Sequence, residues 1–429
     1  MHAVRRKLIT TTIALLALAA PALAADWPQY RGPNHDGKSP DPIRTDWSAR
    51  PRVVWKQPLG LSLGTFAVVG DKAYIMVSRG GDEGLQCLGV NDGNDQWFVP
   101  MGRTIIDRQG GNGPRTTPTV VGDKVYALGT YFNLVCASAA DGKVVWSKDL
   151  AKEYGAQNET QGIKEWGNAA SPVVEGDLVI VPGGGRNGQT FLAFDRNTGD
   201  LKWKAGSERV THASPTPATI HGVRQVIFFT HSGLVSIAPE TGKELWRAAF
   251  PWNVSTASAP VVGGKDGDVV YCAAAYTMGS AAFKISKDGE KFSAKQLWRL
   301  KGNENGNHWM TPVHHEGHVY GLYGHRNKGE AKLECREIET GDVKWSEPAP
   351  AGAGGAVTMA GRHLVVQHED GKIALVEATP AAYKKIAEAQ PLKGKAWSMA
   401  VPAGGRLFVR TDKEAACLDV AAERSAAAE

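Results

Sequence analysis

The chain has 429 residues, 42% of them hydrophobic, with 50 glycines, 23 prolines and a formal net charge of +5. Three of those charges sit in Arg5, Arg6 and Lys7, and no basic stripe interleaves with aromatics, which argues against a nucleic-acid partner. The apolar share is that of a globular protein, and the glycine count suits a many-turned β protein better than a helical one.

Residues 1–24 read as a signal peptide. Arg5-Arg6-Lys7 form the positive region, Leu8 to Ala20 the apolar core, and Ala22-Leu23-Ala24 a small-residue cleavage site. The apolar run is too short to span a bilayer. Arg5-Arg6 leaves the general and twin-arginine export routes both open. No cysteine follows the cleavage site to carry a lipid anchor, and no later apolar stretch is long enough to cross a membrane. The mature chain is therefore expected to be periplasmic or secreted and not membrane-spanning.

Export permits disulfides. Even so, Cys87, Cys136 and Cys335 each stand six residues before a recurring glycine (Gly93, Gly142, Gly341), where other copies place Ala193 and Ser236. Cys417 fits the same slot. A slot filled by Cys, Ala or Ser is a small buried strand site, and free thiols are expected there.

Residues 25–51 come next. Their core, DWPQYRGPNHDGKSP, is rich in Pro, Gly and polar residues and reads as an extended arm. From residue 52 to 420 the chain repeats one pattern. Its sharpest copy is DRNTGDLKWKA, Asp195 to Ala205, in which Gly199 makes a turn and Trp203 follows four residues later. Tryptophans at 55, 97, 146, 203, 246, 298 and 345 fall about one four-stranded unit apart. Between them, short apolar–polar alternating runs are separated by turns, the pattern of antiparallel strands. The seventh unit lacks the tryptophan, with Ile386 near the expected place. The eighth has three runs and stops, and its missing strand is the orphan Val53-Val54-Trp55 at the other end of the chain. The expected fold is an all-β, eight-bladed β-propeller of four-stranded antiparallel blades. The N-terminal strand joins the last blade and removes the open edges. Such a closed ring is expected to be a monomer, with a frayed tail at 421–429.

The repeat and the arm together resemble the pyrroloquinoline-quinone (PQQ)-like β-propeller superfamily. Its blades end in D-x-x-T-G-x-x-x-W, as Asp195, Thr198, Gly199 and Trp203 do here. Its secreted members open on W-P-x-[WY]-R-G-P-x-x-x-G, as the arm does. The resemblance implies that Trp55, Trp97, Trp146, Trp203, Trp246, Trp298 and Trp345 are structural, docking one blade on the next. It spans PQQ-dependent dehydrogenases and BamB-like assembly propellers, so it speaks to fold more than to activity. The dehydrogenases carry adjacent cysteines, often a haem-attaching C-x-x-C-H, and a calcium site. This chain has no adjacent cysteines, no C-x-x-C-H and no assignable calcium ligands.

In a propeller the entries to the inner strands and the loops joining second to third strands share one face. This chain places Arg115, Trp166, Asn168, His212, Ser255, His308, Trp309 and Trp397 at entries. The loops add Tyr276, His231 and His325, among others. Trp166, Trp309 and Trp397 fall off the repeat position, so the repeat does not explain them. Arg115, Trp166, Asn168, His212, His308, Trp309 and Trp397 are the ligand-binding candidates of an aromatic funnel, and the competing reading is an internally satisfied plug. His314, His315 and His318 fall on a surface hairpin, where adjacent strand residues point to opposite faces, so no metal site is expected. The expected function is an exported, non-catalytic binding or assembly scaffold in the cell envelope, with a protein or peptide partner. The alternative is a PQQ-dependent oxidoreductase, or a remnant that still binds PQQ with calcium.

Overall fold

In a computed structural model, residues 25–422 are described except 108, 158–165, 186, 326–327 and 350. The expected signal peptide at 1–24, and all but the first two residues of the tail expected at 421–429, lie outside the described residues. Eight sheets form, each built on a four-stranded antiparallel meander, and the seventh carries a fifth, parallel strand. Blade 1 comprises Ala67–Val69, Lys72–Arg79, Asp82–Gly89 and Asp95–Arg103; blade 4 comprises Thr216–Ile220, Val223–Thr230, Gly233–Ile237 and Glu244–Ala249. Blade 8 takes Val401–Ala403, Arg406–Arg410 and Glu414–Asp419 from the C-terminus. Its outer strand is Arg52–Pro58, antiparallel to Glu414–Asp419 with Trp55 opposite Cys417. The two ends of the chain thus close one blade.

Inner and middle strands are buried on both faces, as in Val223–Thr230, whereas outer strands alternate, as in Val144–Asp149. The core lies between blades. Tyr126, Cys136 and Trp146 of blade 2 pack with Val179, Leu192 and Phe194 of blade 3. Around the axis, hydroxyls tie several inner strands to the next. Thr119 donates to the Pro172 carbonyl (2.7 Å), Thr216 to that of Pro260 (2.9 Å) and Thr358 to that of Ala400 (2.9 Å). All five cysteines are buried and free.

The repeat tryptophans face the turn of the following blade. A Cβ on Gly93, Gly142, Gly199, Gly242 or Gly341 would lie 2.6–2.9 Å from the indole of Trp55, Trp97, Trp146, Trp203 or Trp298. Several indole N–H groups also donate to a carbonyl there, Trp203 to Pro239 at 2.9 Å. Two blades depart from this. Gly289 sits at the tip of a longer hairpin with nothing near it, so Trp246 donates instead to Gln225 of its own blade (2.7 Å). Trp345 donates to Thr379 (2.7 Å) and meets the Tyr383 ring edge-on at 5.6 Å. In blade 7 the register pairs Leu375 with Ala387 and Val376 with Lys385. The residue at the tryptophan position is therefore Ala387. Ile386 is the residue skipped at the bulge, one place from where the spacing alone puts it.

The arm is not extended. Residues 30–37 run through turns, and the segment is bonded to the inner strands of four blades. Trp27 exchanges backbone bonds with Val68 (2.8 Å each), and Pro28 accepts from Val120 (2.8 Å). Arg31 donates to Thr311 and Pro312 (3.0 and 2.8 Å), and Lys38–Ser39 adds a parallel strand to Ala356–Ala360. A segment that reaches blades 1, 2, 6 and 7 at their innermost strands lies across the axis and plugs the channel. Trp27 is fully buried and folds onto Gly32, at φ +77°, where a Cβ would meet the indole at 3.0 Å.

Candidate functional site

Above the plug the axis opens into a cavity of about 380 Å³. Arg115, Trp166, His212, His308, Trp309 and Trp397 line it, with Ser255, Tyr276 and His325 from the same face. Asn168 does not. It is buried, and its amide donates to the Ala170 carbonyl (3.1 Å) while its oxygen accepts from the Ala170 N–H (3.1 Å), fixing the return of the long loop before blade 3.

On the side of blades 6 and 8 the wall is aromatic. The Trp309 and Trp397 rings lie 4.3 Å apart, and His308 packs 3.9 Å from Trp309 and stacks on His325 at 4.5 Å. Tyr276 stands edge-on to both histidines, its hydroxyl 3.1 Å from His308 Nε2. Toward blades 3–5, Trp166 lies 6.0 Å from His212, whose Nδ1 is 3.0 Å from the Ser255 hydroxyl. Burial, reinforced by the nearby Arg115, depresses the His212 pKa to about 3, so the ring is neutral. Tyr30 of the arm is part of the floor, 3.3 Å from the Thr311 hydroxyl, with Met310 and Met399. The sequence did not single out Tyr30, Met310 or Met399. The two methionines follow Trp309 and Trp397 by one and two residues in entries already identified, whereas Tyr30 reaches the site only through the fold.

The ionic groups at the cavity are already engaged. Arg115 donates to Asp107 (2.5 Å) and to the carbonyls of Gly113 and Gly111 (3.0 and 3.1 Å). Burial lowers its pKa, and Asp107 and Glu83 work against that. Glu83, between blades 1 and 2, accepts from the Thr130 N–H and hydroxyl (2.6 and 2.5 Å), and burial pushes its carboxyl up. Lys395 sits 3.5 Å over the Trp397 ring and donates to the Gly110 carbonyl, spanning from the entry of blade 8 to that of blade 2. Glu369 accepts from the Trp397 indole (3.0 Å) and the Gly354 N–H (3.1 Å).

This lining suits a planar or apolar group stacked on indoles. It does not suit the PQQ–calcium pair of a dehydrogenase. The nearby carboxylates of Asp107 and Glu369 are held by other donors, and among the described residues no three His, Cys, Asp or Glu converge to hold a metal. The histidine hairpin at 314–318 is not fully solvated either. His314 lodges against Gly263 of blade 5 and accepts from the Gly264 and Gly317 N–H groups (3.3 and 3.2 Å), and burial lowers its pKa to about 4.

Eight four-stranded blades with indole-on-glycine docking define a PQQ-like β-propeller. Within that class the chain belongs to the family described as outer membrane protein assembly factor BamB, whose model matches residues 81–295 and 281–384. No curated protein matches it in sequence. Solved structures share the fold at low identity. The quinohemoprotein alcohol dehydrogenase of Comamonas testosteroni is 14% identical, with a TM-score of 0.66 over 96% of this chain and 83% of its own. BamB of Moraxella catarrhalis is 16% identical, with a TM-score of 0.59 over 88% of this chain and 100% of its own. The computationally designed Ika8 protein is 10% identical, with a TM-score of 0.55 over 86% and 98%. No helix among the described residues is long and apolar enough to cross a membrane.

Proposed function

We propose that the protein is an exported, non-catalytic propeller that serves as a binding or assembly scaffold in the cell envelope, engaging a protein or peptide partner at the axial cavity. The observation that carries this is the cavity itself: an indole-walled space whose ionic groups are already paired. Such a space rewards an inserted aromatic or apolar side chain, and the rigid ring around it needs no closure to bind. Membership of the BamB family supports the assembly reading.

The test is capture from envelope extract with the wild-type chain and with a Trp166→Ala/Trp397→Ala variant of unchanged circular dichroism. The wild type is expected to retain a reproducible partner and the variant to lose it about tenfold or more, as expected when hot-spot aromatics are removed. Equal capture by both moves the interface away from the cavity. The quinoprotein alternative draws on the fold shared with the alcohol dehydrogenase. A thermal-shift titration with PQQ and calcium is expected to be flat, and a saturable shift would overturn the scaffold reading.

A further inference from the structure

Residues 25 to 41 form a loop whose two ends meet. The Ala25 backbone nitrogen lies 2.7 Å from the Asp41 carboxylate, sixteen residues on. The Ala25 carbonyl accepts from the Gly404 N–H at 3.1 Å, and Asp26 accepts from the Gly70 N–H at 2.9 Å. The next residues, Trp27 and Pro28, enter the axis, and Gly37 to Ser39 leave it along blade 7. The Ala25–Asp41 contact is therefore the clasp of the loop that plugs the channel.

The clasp falls immediately after the small-residue site Ala22-Leu23-Ala24. An internal Ala25 offers Asp41 one neutral N–H. An Ala25 released by cleavage offers an ammonium at the same place, and a charge-assisted bond is roughly twice as strong as a neutral one. We infer that Ala25 is the N-terminus of the processed protein, and that its ammonium pairs with Asp41 to latch the plug loop in the channel. Leader removal then does more than release the chain: it creates the charge that holds the arm in place. This inference rests on the export reading above, but its geometry stands on Ala25 and Asp41 alone.

Two measurements test it separately. First, the chain is recovered from the periplasm of an expressing bacterium and its N-terminus sequenced, with Ala25 expected. A different first residue overturns the assignment, and a chain that stays uncleaved in the cytoplasm overturns the export reading. Second, the chain beginning at Ala25, which carries every described element, is compared with the same chain bearing one extra glycine before Ala25. Each is made with and without Asp41→Asn. Hydrogen exchange is read by mass spectrometry at the Trp27, Val68 and Val120 amides, which are bonded within the plug. In the Ala25-terminated chain the substitution is expected to speed exchange about tenfold, and in the extended chain about twofold or less. Equal acceleration in both, or none in either, overturns the ammonium latch whatever the outcome of export.

Discussion

Gly199 has two separate reasons to be glycine, and they can be weighed against each other. Its φ is +76°, which strains any other residue, and a Cβ there would stand 2.8 Å from the Trp146 indole. Gly222 has the same backbone conformation, φ +74°, with nothing within 4 Å. Gly222→Ala therefore reports backbone strain alone, about 1 kcal/mol. Gly199→Ala adds overpacking against the indole, about 1–3 kcal/mol more. From the other side of the contact, Trp146 is buried and donates to the Arg196 carbonyl at 3.1 Å, so Trp146→Ala is expected to cost about 3–5 kcal/mol. Denaturant melts of the three variants check the ranking, and a Gly199→Ala no worse than Gly222→Ala would show that the indole gives way. The turn glycine and the tryptophan were both legible in the sequence because their spacing recurs. That five of these tryptophans cover the glycine of the next blade was not, since one copy of the pattern never contains both partners.

The arm is the element whose role the sequence conveyed least. Its Pro and Gly content signals irregular backbone, and irregular backbone is read as surface, but its partners are distant in sequence, from Val68 and Val120 to Thr311, Pro312 and Met359. The Arg31 guanidinium is buried, with no ion pair to a carboxylate among the described residues, and donates to the carbonyls of His35, Asp36, Thr311 and Pro312. His35 beside it is buried too, and burial together with Arg224 and Arg31 holds its pKa at about 3. The ring is therefore neutral in the folded protein and titrates near 6.5 once unfolded. Between those values the unfolded chain binds a proton that the folded chain refuses, so stability rises with pH from about 3 to about 6.5 and levels off above. The slope per such histidine approaches ~1.4 kcal/mol per pH unit, and His212 contributes in the same window. His35→Asn is expected to flatten the loss of thermal stability between pH 6.5 and 4. A variant with the wild-type slope would show that acid opens the fold elsewhere. The cavity was half legible for a related reason. Trp166, Trp309 and Trp397 stand out because they break the repeat, whereas Tyr30 is brought to them by the arm.

At the scale of the ring, the blades were countable because their turns and strand runs recur, and closure followed from one orphan strand at the N-terminal end and a last unit short of its fourth strand. That closure has a physical purpose that can be isolated from the plug. Without Arg52–Pro58, the strand Glu414–Asp419 would present an unpaired edge whose side chains from Ala415 to Leu418 are all buried in the intact protein. Such an edge is a template for another chain. The plug, by contrast, fills the axis through residues 27–39 and pairs with inner strands that already have a partner on their other side. Two truncations separate the roles. A chain beginning at residue 50 keeps the closing strand and loses the plug, and it is expected to melt at lower temperature yet remain monomeric. A chain beginning at residue 60 loses both, and it is expected to associate through the edge of blade 8. Light scattering after size exclusion distinguishes them. If the shorter chain is as monomeric as the longer one, edge protection is not what the N-terminal strand supplies, and its contribution reduces to the packing of Trp55 on Gly93.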